Sequence, residues 1–112
     1  MIYSNLLLVY NNQIILENLI HKNPSNSEFH RILGQILSEL GDQDEAINAL
    51  IDALRWNSSN GWALLMMGNI FAKYKKDLNT AMIYYDQAIK ANKADHITLS
   101  NISYLLFQEN KM

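Results

Sequence analysis

Apolar residues recur every three or four positions along most of the chain, a spacing that predicts amphipathic helices. Three clusters of turn-forming residues interrupt this pattern, at positions 23–26, 57–60 and 92–95. A further break at Gly41 divides the stretch between the first two clusters. The pattern predicts helices over residues 3–22, 26–40, 43–56, 60–75, 78–91 and 95–109.

Residues that favour helix ends refine these boundaries. Gly41 suits the left-handed position that follows a helix, and Asp42 or Asp44 is expected to cap the next helix. Asn79 is the predicted cap of the helix that begins close to position 80. The adjacent amides at 11–12 are expected to loosen the first helix.

One small residue recurs at the same place after each turn. The turns lie 34 and 35 residues apart, and Gly34, Gly68 and Ser103 occupy equivalent positions in the helices that follow them. Glycine inside a helix costs about 1 kcal/mol relative to alanine, so a tertiary contact must compensate for it. A missing side chain lets a neighbouring helix approach closely, and we therefore interpret these glycines as packing residues.

The period and the residues around these positions resemble the tetratricopeptide repeat, a 34-residue helix–turn–helix unit. The resemblance covers about residues 6–108, although His30 stands where the repeat has a large apolar residue. It rests on the segments Leu33-Gly34-x2-Leu37 with Ala46-x3-Leu50, and Leu64-x2-Met67-Gly68-x2-Phe71 with Ala81-x3-Tyr85. The resemblance implies an all-α fold, a right-handed α-solenoid of helical hairpins with about two full repeats and half a repeat at each end.

The resemblance also implies one domain over residues 1–112. Its expected parts are a second-type helix of a partial repeat over 1–23, repeats over 26–57 and 60–92, and the first helix of a partial or capping repeat over 95–109.

Repeats of this kind usually act as protein-interaction modules, with a concave groove lined by the first helix of each hairpin. Trp62 and Tyr104 are the expected anchors, because large rigid aromatic residues dominate such interfaces; for Trp62 the alternative is packing against its own turn. The partner is expected to be a partly apolar peptide or short helix. An acidic chaperone tail fits less well, since Met66 and Ile97 stand where the clamp for such tails has polar or basic residues. The predicted groove contacts are Arg31, Gln35, Trp62, Leu65, Asn69 and Tyr104.

An alternative function is structural, with self-association through apolar terminal helices. The segment 95–109 is apolar on nearly all sides, whereas a terminal repeat helix normally has a polar outer face. Either a longer array or a second copy of the chain would cover it. Leu105 and Phe107 are the predicted contacts of such a homo-oligomer.

Composition narrows the choice of partner. The net charge of −2 gives no positive field for nucleic acid, and the absence of cysteine removes disulfides, thiol nucleophiles and thiolate metal sites. No apolar run approaches the roughly 20 residues of a membrane-spanning helix, and no signal peptide is recognisable. We therefore expect a cytoplasmic protein that binds neither membrane nor nucleic acid.

No catalytic or cofactor motif is recognisable, so no enzyme activity and no cofactor are expected. His21, His30 and His96 lie far apart in sequence and are interpreted as surface or interface residues, without a metal. The acidic run 42–45 lacks the glycine and distal glutamate of a calcium loop and suits helix capping instead. The lysines in 73–76 are interpreted as a solvated helix end.

Overall fold

The computed structural model describes residues 2–92, and side chains are described for residues 7–91. These residues form five helices and no strand. The predicted all-α fold is confirmed, whereas the predicted helix over 95–109 lies outside the described residues. The helices are α1 (Ile2–Lys22), α2 (Ser27–Glu39), α3 (Gln43–Trp56), α4 (Gly61–Lys73) and α5 (Leu78–Asn92).

The described helices fall into two compact units, divided between Ser58 and Ser59. In the first unit α2 packs against both α1 and α3, and in the second unit α4 packs against α5. The helix predicted over 43–56 coincides with α3. The predicted loosening at residues 11–12 is wrong, because α1 continues without interruption through both amides.

The hairpin of α2 and α3 closes over Gly34. A Cβ atom at this glycine would lie 2.7 Å from Leu50 Cγ and 3.3 Å from the Ala46 carbonyl oxygen, closer than packed atoms tolerate. Ala46 and Leu50 are both fully buried. Near the other end of the hairpin the Ser27 hydroxyl donates a hydrogen bond of 2.7 Å to the carbonyl of Ala53. The glycine therefore permits the close helix packing that its position in the repeat predicted.

In the hairpin of α4 and α5 a glycine also permits close helix packing, here against an aromatic ring. A Cβ atom at Gly68 would overlap Cδ1 and Cε1 of Tyr85, and would lie 3.1 Å from its Cζ. Tyr85 is only 1% exposed. Beside it Phe71 and Tyr84 stack with ring centroids 5.8 Å apart and an interplanar angle of 15°. Gly68 is thus a packing residue, as predicted.

Polar side chains cap four of the helices. Asp42 accepts a hydrogen bond from the Glu45 amide, which confirms one of the two predicted caps of α3. The prediction of Asn79 is wrong: Asp77 caps α5, accepting from the Thr80 amide at 3.1 Å and from its hydroxyl at 2.6 Å. Both groups donate to the charged carboxylate and therefore hold the pKa of Asp77 below its usual value of 3.8. The Thr80 hydroxyl has the larger effect and the Thr80 amide the smaller. Asn26 and Asn60 cap α2 and α4.

The first helix of each hairpin ends with a different residue in the left-handed conformation. Gly41 has a φ of +92°, which confirms the predicted left-handed position after α2. After α4 the left-handed position is occupied by Lys76, with a φ of +54°. The amide of the next residue, Asp77, donates 2.9 Å to the carbonyl of Phe71, so that the last turn of α4 is closed despite the lysine.

His30 is part of the core, and its interpretation as a surface or interface histidine is wrong. Its side chain is 8% exposed, and Nε2 lies 2.7 Å from the carbonyl oxygen of Pro24. A carbonyl oxygen only accepts hydrogen bonds, so Nε2 carries the proton. His30 thereby ties α2 to the turn that precedes it, at a position where the repeat usually places a large apolar residue.

Candidate protein-binding surface

The accessible residues of α4 lie on one face of the helix. Every other α4 side chain is buried except Phe71, which stacks on Tyr84. Steps of four, three and four residues separate the accessible positions, so they line up along one helical stripe. We call this surface the α4 stripe; its residues are Trp62, Met66, Asn69 and Lys73.

Trp62 begins the α4 stripe and is 51% exposed. It follows Gly61, the first residue of the helix, and the Asn60 side chain caps this end of the helix. A tryptophan that keeps half of its large surface in water at a fixed helix end is available for contact with another molecule. Met66, one turn further along, is partly buried and adds a polarizable apolar surface.

Asn69 supplies the polar group of the α4 stripe. Its Oδ1 accepts a hydrogen bond of 2.8 Å from the hydroxyl of the buried Tyr85. This bond fixes the amide and leaves the Nδ2 hydrogens, which have no acceptor among the described residues, to donate to a ligand. The same tyrosine packs on Gly68, so α5 positions both the backbone and the amide of α4.

Leu65 does not belong to this surface. The repeat register placed Leu65 among the groove contacts, yet its side chain is 2% exposed, so it can support the surface but offers no contact area. The structure exposes Met66 and Lys73 instead. Both share a helical face with Trp62, a relationship that is visible in the sequence but was not used to predict contacts.

The first unit presents a different surface, which we call the α2 row: Glu28, Arg31, Gln35 and Glu39. Arg31 donates to Glu28 Oε2 from Nη2 at 3.0 Å and from Nε at 3.1 Å. Its Nη1 donates to Gln35 Oε1 at 3.2 Å, and Gln35 Nε2 donates to Glu39 Oε1 at 3.4 Å.

The charge of Arg31 is already balanced within this row. The Arg31 side chain is 18% exposed, compared with 53% for Glu28, so the carboxylate is the more accessible partner. With two carboxylates and one guanidinium, the α2 row carries an excess of one negative charge. An acidic ligand would have to displace Glu28 before it could bind Arg31.

The remaining predicted contacts, Tyr104, Leu105 and Phe107, lie outside the described residues. Within the described part of the chain, no group of three or more histidine, cysteine or acidic side chains is arranged to hold a metal ion. None of the described helices is long and apolar enough to cross a membrane.

Comparison with known families agrees with the repeat geometry. The family described as Tetratricopeptide repeat matches residues 32–60 and 63–95, and these segments contain most of both hairpins. The chain belongs to the tetratricopeptide repeat family. Repeats of this family generally mediate protein–protein interactions and typically have no catalytic activity. No curated protein matches the chain.

Proposed function

We propose that this tetratricopeptide repeat protein binds a segment of another protein along the α4 stripe. The observation that carries the proposal is Trp62, half exposed at the start of the helix on the face that also holds Met66 and Asn69. A fixed aromatic residue beside a thioether and an amide donor is a typical composition for an interface centre, in which apolar anchors are combined with few polar groups.

Each residue of the α4 stripe has a separate role in this proposal. An apolar side chain of the ligand covers Trp62 and Met66, and burial of the exposed half of the indole contributes most of the affinity. Asn69 donates from Nδ2 to a backbone carbonyl of the ligand. Lys73 pairs with an acidic group at the far end of the stripe and affects the association rate more than the affinity, because it is exposed.

The α2 row favours a different ligand chemistry. Its excess negative charge suits a basic or amide-rich segment, with Gln35 and Glu28 as the accessible groups. Arg31 contributes by holding Glu28 in place. Of the contacts predicted from the sequence, Trp62 and Asn69 lie on the α4 stripe and Arg31 and Gln35 lie in the α2 row, while Tyr104 remains a prediction.

Affinity capture with two matched tryptophan variants tests the proposal. Trp62 and Trp56 are 51% and 52% exposed, but only Trp62 lies on the α4 stripe. Wild type, Trp62→Ala and Trp56→Ala are immobilised and incubated with lysate of the source cells and, separately, with a library of displayed peptides. We expect ligands that are retained by wild type and Trp56→Ala, and are weakened at least about 30-fold by Trp62→Ala, the effect of an interface anchor.

The same capture can contradict the proposal. Ligands retained equally by Trp62→Ala and wild type would show that the α4 stripe is not the binding surface. Helical circular dichroism of each variant, measured beforehand, separates loss of binding from loss of folding.

Self-association through the terminal helices is the second candidate function. The exposed apolar side chains of α1 favour it, and Leu105 with Phe107 remain predicted contacts at the other end. A Leu105→Asp/Phe107→Asp variant that sediments as a smaller species than wild type would support these contacts, and unchanged sedimentation would contradict them.

A further inference from the structure

Within residues 7–22, the part of α1 whose side chains are described, one face is packed against the rest of the unit. Among residues 7–22 the less exposed side chains are Val9, Gln13, Leu16 and Ile20, and Leu16 is 6% exposed. These positions follow each other at steps of four, three and four, which places them on one helical face. Because α1 packs against α2, this is the face that α2 covers.

The opposite face of α1 is apolar and open. Leu7, Leu8, Ile14 and Ile15 are between 57% and 62% exposed. Together with Asn11, which lies between the two pairs, they form what we call the outer face. Residues 2–16 contain no charged side chain, although the exposed face of a helix normally carries charge. This face therefore attracts neither nucleic acid nor anionic lipid, and it favours an apolar partner.

The outer face is symmetric along the helix. Leu7 and Leu8 precede Asn11 by four and three residues, and Ile14 and Ile15 follow it by three and four. A twofold axis that passes beside Asn11 and reverses the helix direction brings Leu7 opposite Ile15 of another copy, and Leu8 opposite Ile14. A surface that is self-complementary in this way is what a closed dimer of identical chains requires.

We propose that two copies of the chain form an antiparallel dimer through the outer face, with the two Asn11 side chains facing each other at the twofold axis. Each amide donates to the other's oxygen, so the polar pair at the centre is satisfied and fixes the register, as a single buried asparagine does in helical assemblies. This dimer extends the self-association candidate to α1 and does not depend on the α4 stripe.

The available area supports a second copy as the occupant. With the flanking Tyr10 and Leu19, six exposed apolar side chains present roughly 600 Å² per chain, as much as the largest patches on ordinary monomers. Two such faces could bury at most roughly 1,200 Å² in total, which is the lower limit for specific protein interfaces. A parallel pairing is less favourable, since it would bring together the two Lys22 charges, which the antiparallel pairing places at opposite ends.

Single-cysteine variants test the twofold axis directly. The chain has no cysteine, so Asn11→Cys introduces the only thiol. In the proposed dimer the two introduced thiols meet, and mild oxidation yields a disulfide-linked dimer. Asn18→Cys is the matched control. Its two copies lie roughly 20 Å apart along the antiparallel helices, beyond the reach of a disulfide. Efficient linkage at both positions would indicate parallel pairing and would overturn the proposal.

Sedimentation velocity with a matched pair of isoleucine variants tests the interface. Ile15 and Ile83 are 57% and 58% exposed, on α1 and α5 respectively. We expect wild type and Ile83→Asp to be dimers at about 100 μM, and Ile15→Asp to have a dissociation constant raised at least about 30-fold, typical of a charge placed in an interface centre. Because both sites are exposed, circular dichroism should show equal helicity for the two variants.

Three further outcomes would overturn the proposal. The first is a wild-type chain that remains monomeric up to about 1 mM, and the second is a dimer abolished by Leu105→Asp/Phe107→Asp but not by Ile15→Asp. The third is a monomer that binds phosphatidylcholine vesicles and loses this binding in Ile15→Asp. A Trp62→Ala variant that still dimerises would show that dimerisation and binding at the α4 stripe are separate properties.

Discussion

The Gly68→Ala substitution separates the packing role of this glycine from its helix propensity. In an exposed helix the change from glycine to alanine stabilises a protein by about 1 kcal/mol. At Gly68 the added Cβ overlaps two ring atoms of Tyr85, which is buried and tied to Asn69 by its hydroxyl. The ring cannot move aside without breaking this hydrogen bond or separating α5 from α4.

The expected magnitude follows from these two opposing effects. Overpacking of a buried contact costs typically about 1–3 kcal/mol, and the fixed ring places this contact near the upper value. After subtraction of the gain in propensity, Gly68→Ala should lower the free energy of unfolding by about 2 kcal/mol. Urea titration followed by circular dichroism at 222 nm measures this difference.

A second substitution tests whether Tyr85 is the cause. In a Tyr85→Leu background the ring is absent, so adding Gly68→Ala should cost at least about 1 kcal/mol less than it does in wild type, a coupling that a double-mutant cycle resolves. Stabilisation by Gly68→Ala in the wild-type chain would refute the packing argument.

Three further predictions concern helix ends and the core. The folded-state pKa of Asp77 is depressed, so its contribution to stability is present above pH 3.8 and is lost as the pH falls through the folded-state pKa. Acid unfolding titrations of Asp77→Asn should lack this loss of stability, and an acid profile equal to that of wild type would contradict the role of Asp77. Lys76→Gly should stabilise the protein by about 1 kcal/mol in urea titrations, because glycine adopts a φ of +54° without strain, and no gain would argue against that conformation. His30→Leu should cost about 1 kcal/mol by losing the bond to Pro24, and wild-type stability in this variant would contradict its role.

The hydrophobic pattern predicted the five described helices well, because each amphipathic stretch buries one face against a neighbour. The bounds of α3 and the role of Gly68 followed from periodicity and from the repeat. The Asn11–Asn12 pair shows the limit of local propensity. Two adjacent amides weaken an isolated helix, but packing of the Leu16 face holds α1 together.

Details that depend on side-chain reach were not predictable from spacing. Asp77 and Asn79 are both good capping residues, and only the geometry of the turn decides that the carboxylate of Asp77 meets the Thr80 amide. His30 counts as a polar residue in any sequence pattern, although inside the core its Nε2 forms a hydrogen bond with the carbonyl oxygen of Pro24.

For the candidate surface as well, the sequence predicted the helical face but not every residue that is exposed on it. The repeat register located the accessible face of α4 to within one residue, and Trp62 and Asn69 followed from it. It misplaced Leu65, because a shift of about 100° around the helix decides whether a side chain is buried or exposed. Met66, the next residue, occupies the exposed position.

The central claim, that the α4 stripe binds a partner, is tested most directly by fluorine NMR of the 5-fluorotryptophan-labelled protein. The chain contains two tryptophans, so two resonances are expected, and a Trp56→Phe variant assigns them. Titration with a segment captured by the wild-type protein should shift the Trp62 resonance to saturation and leave that of Trp56 unchanged. A saturable shift of Trp56 alone, or binding that moves neither resonance, would contradict the claim.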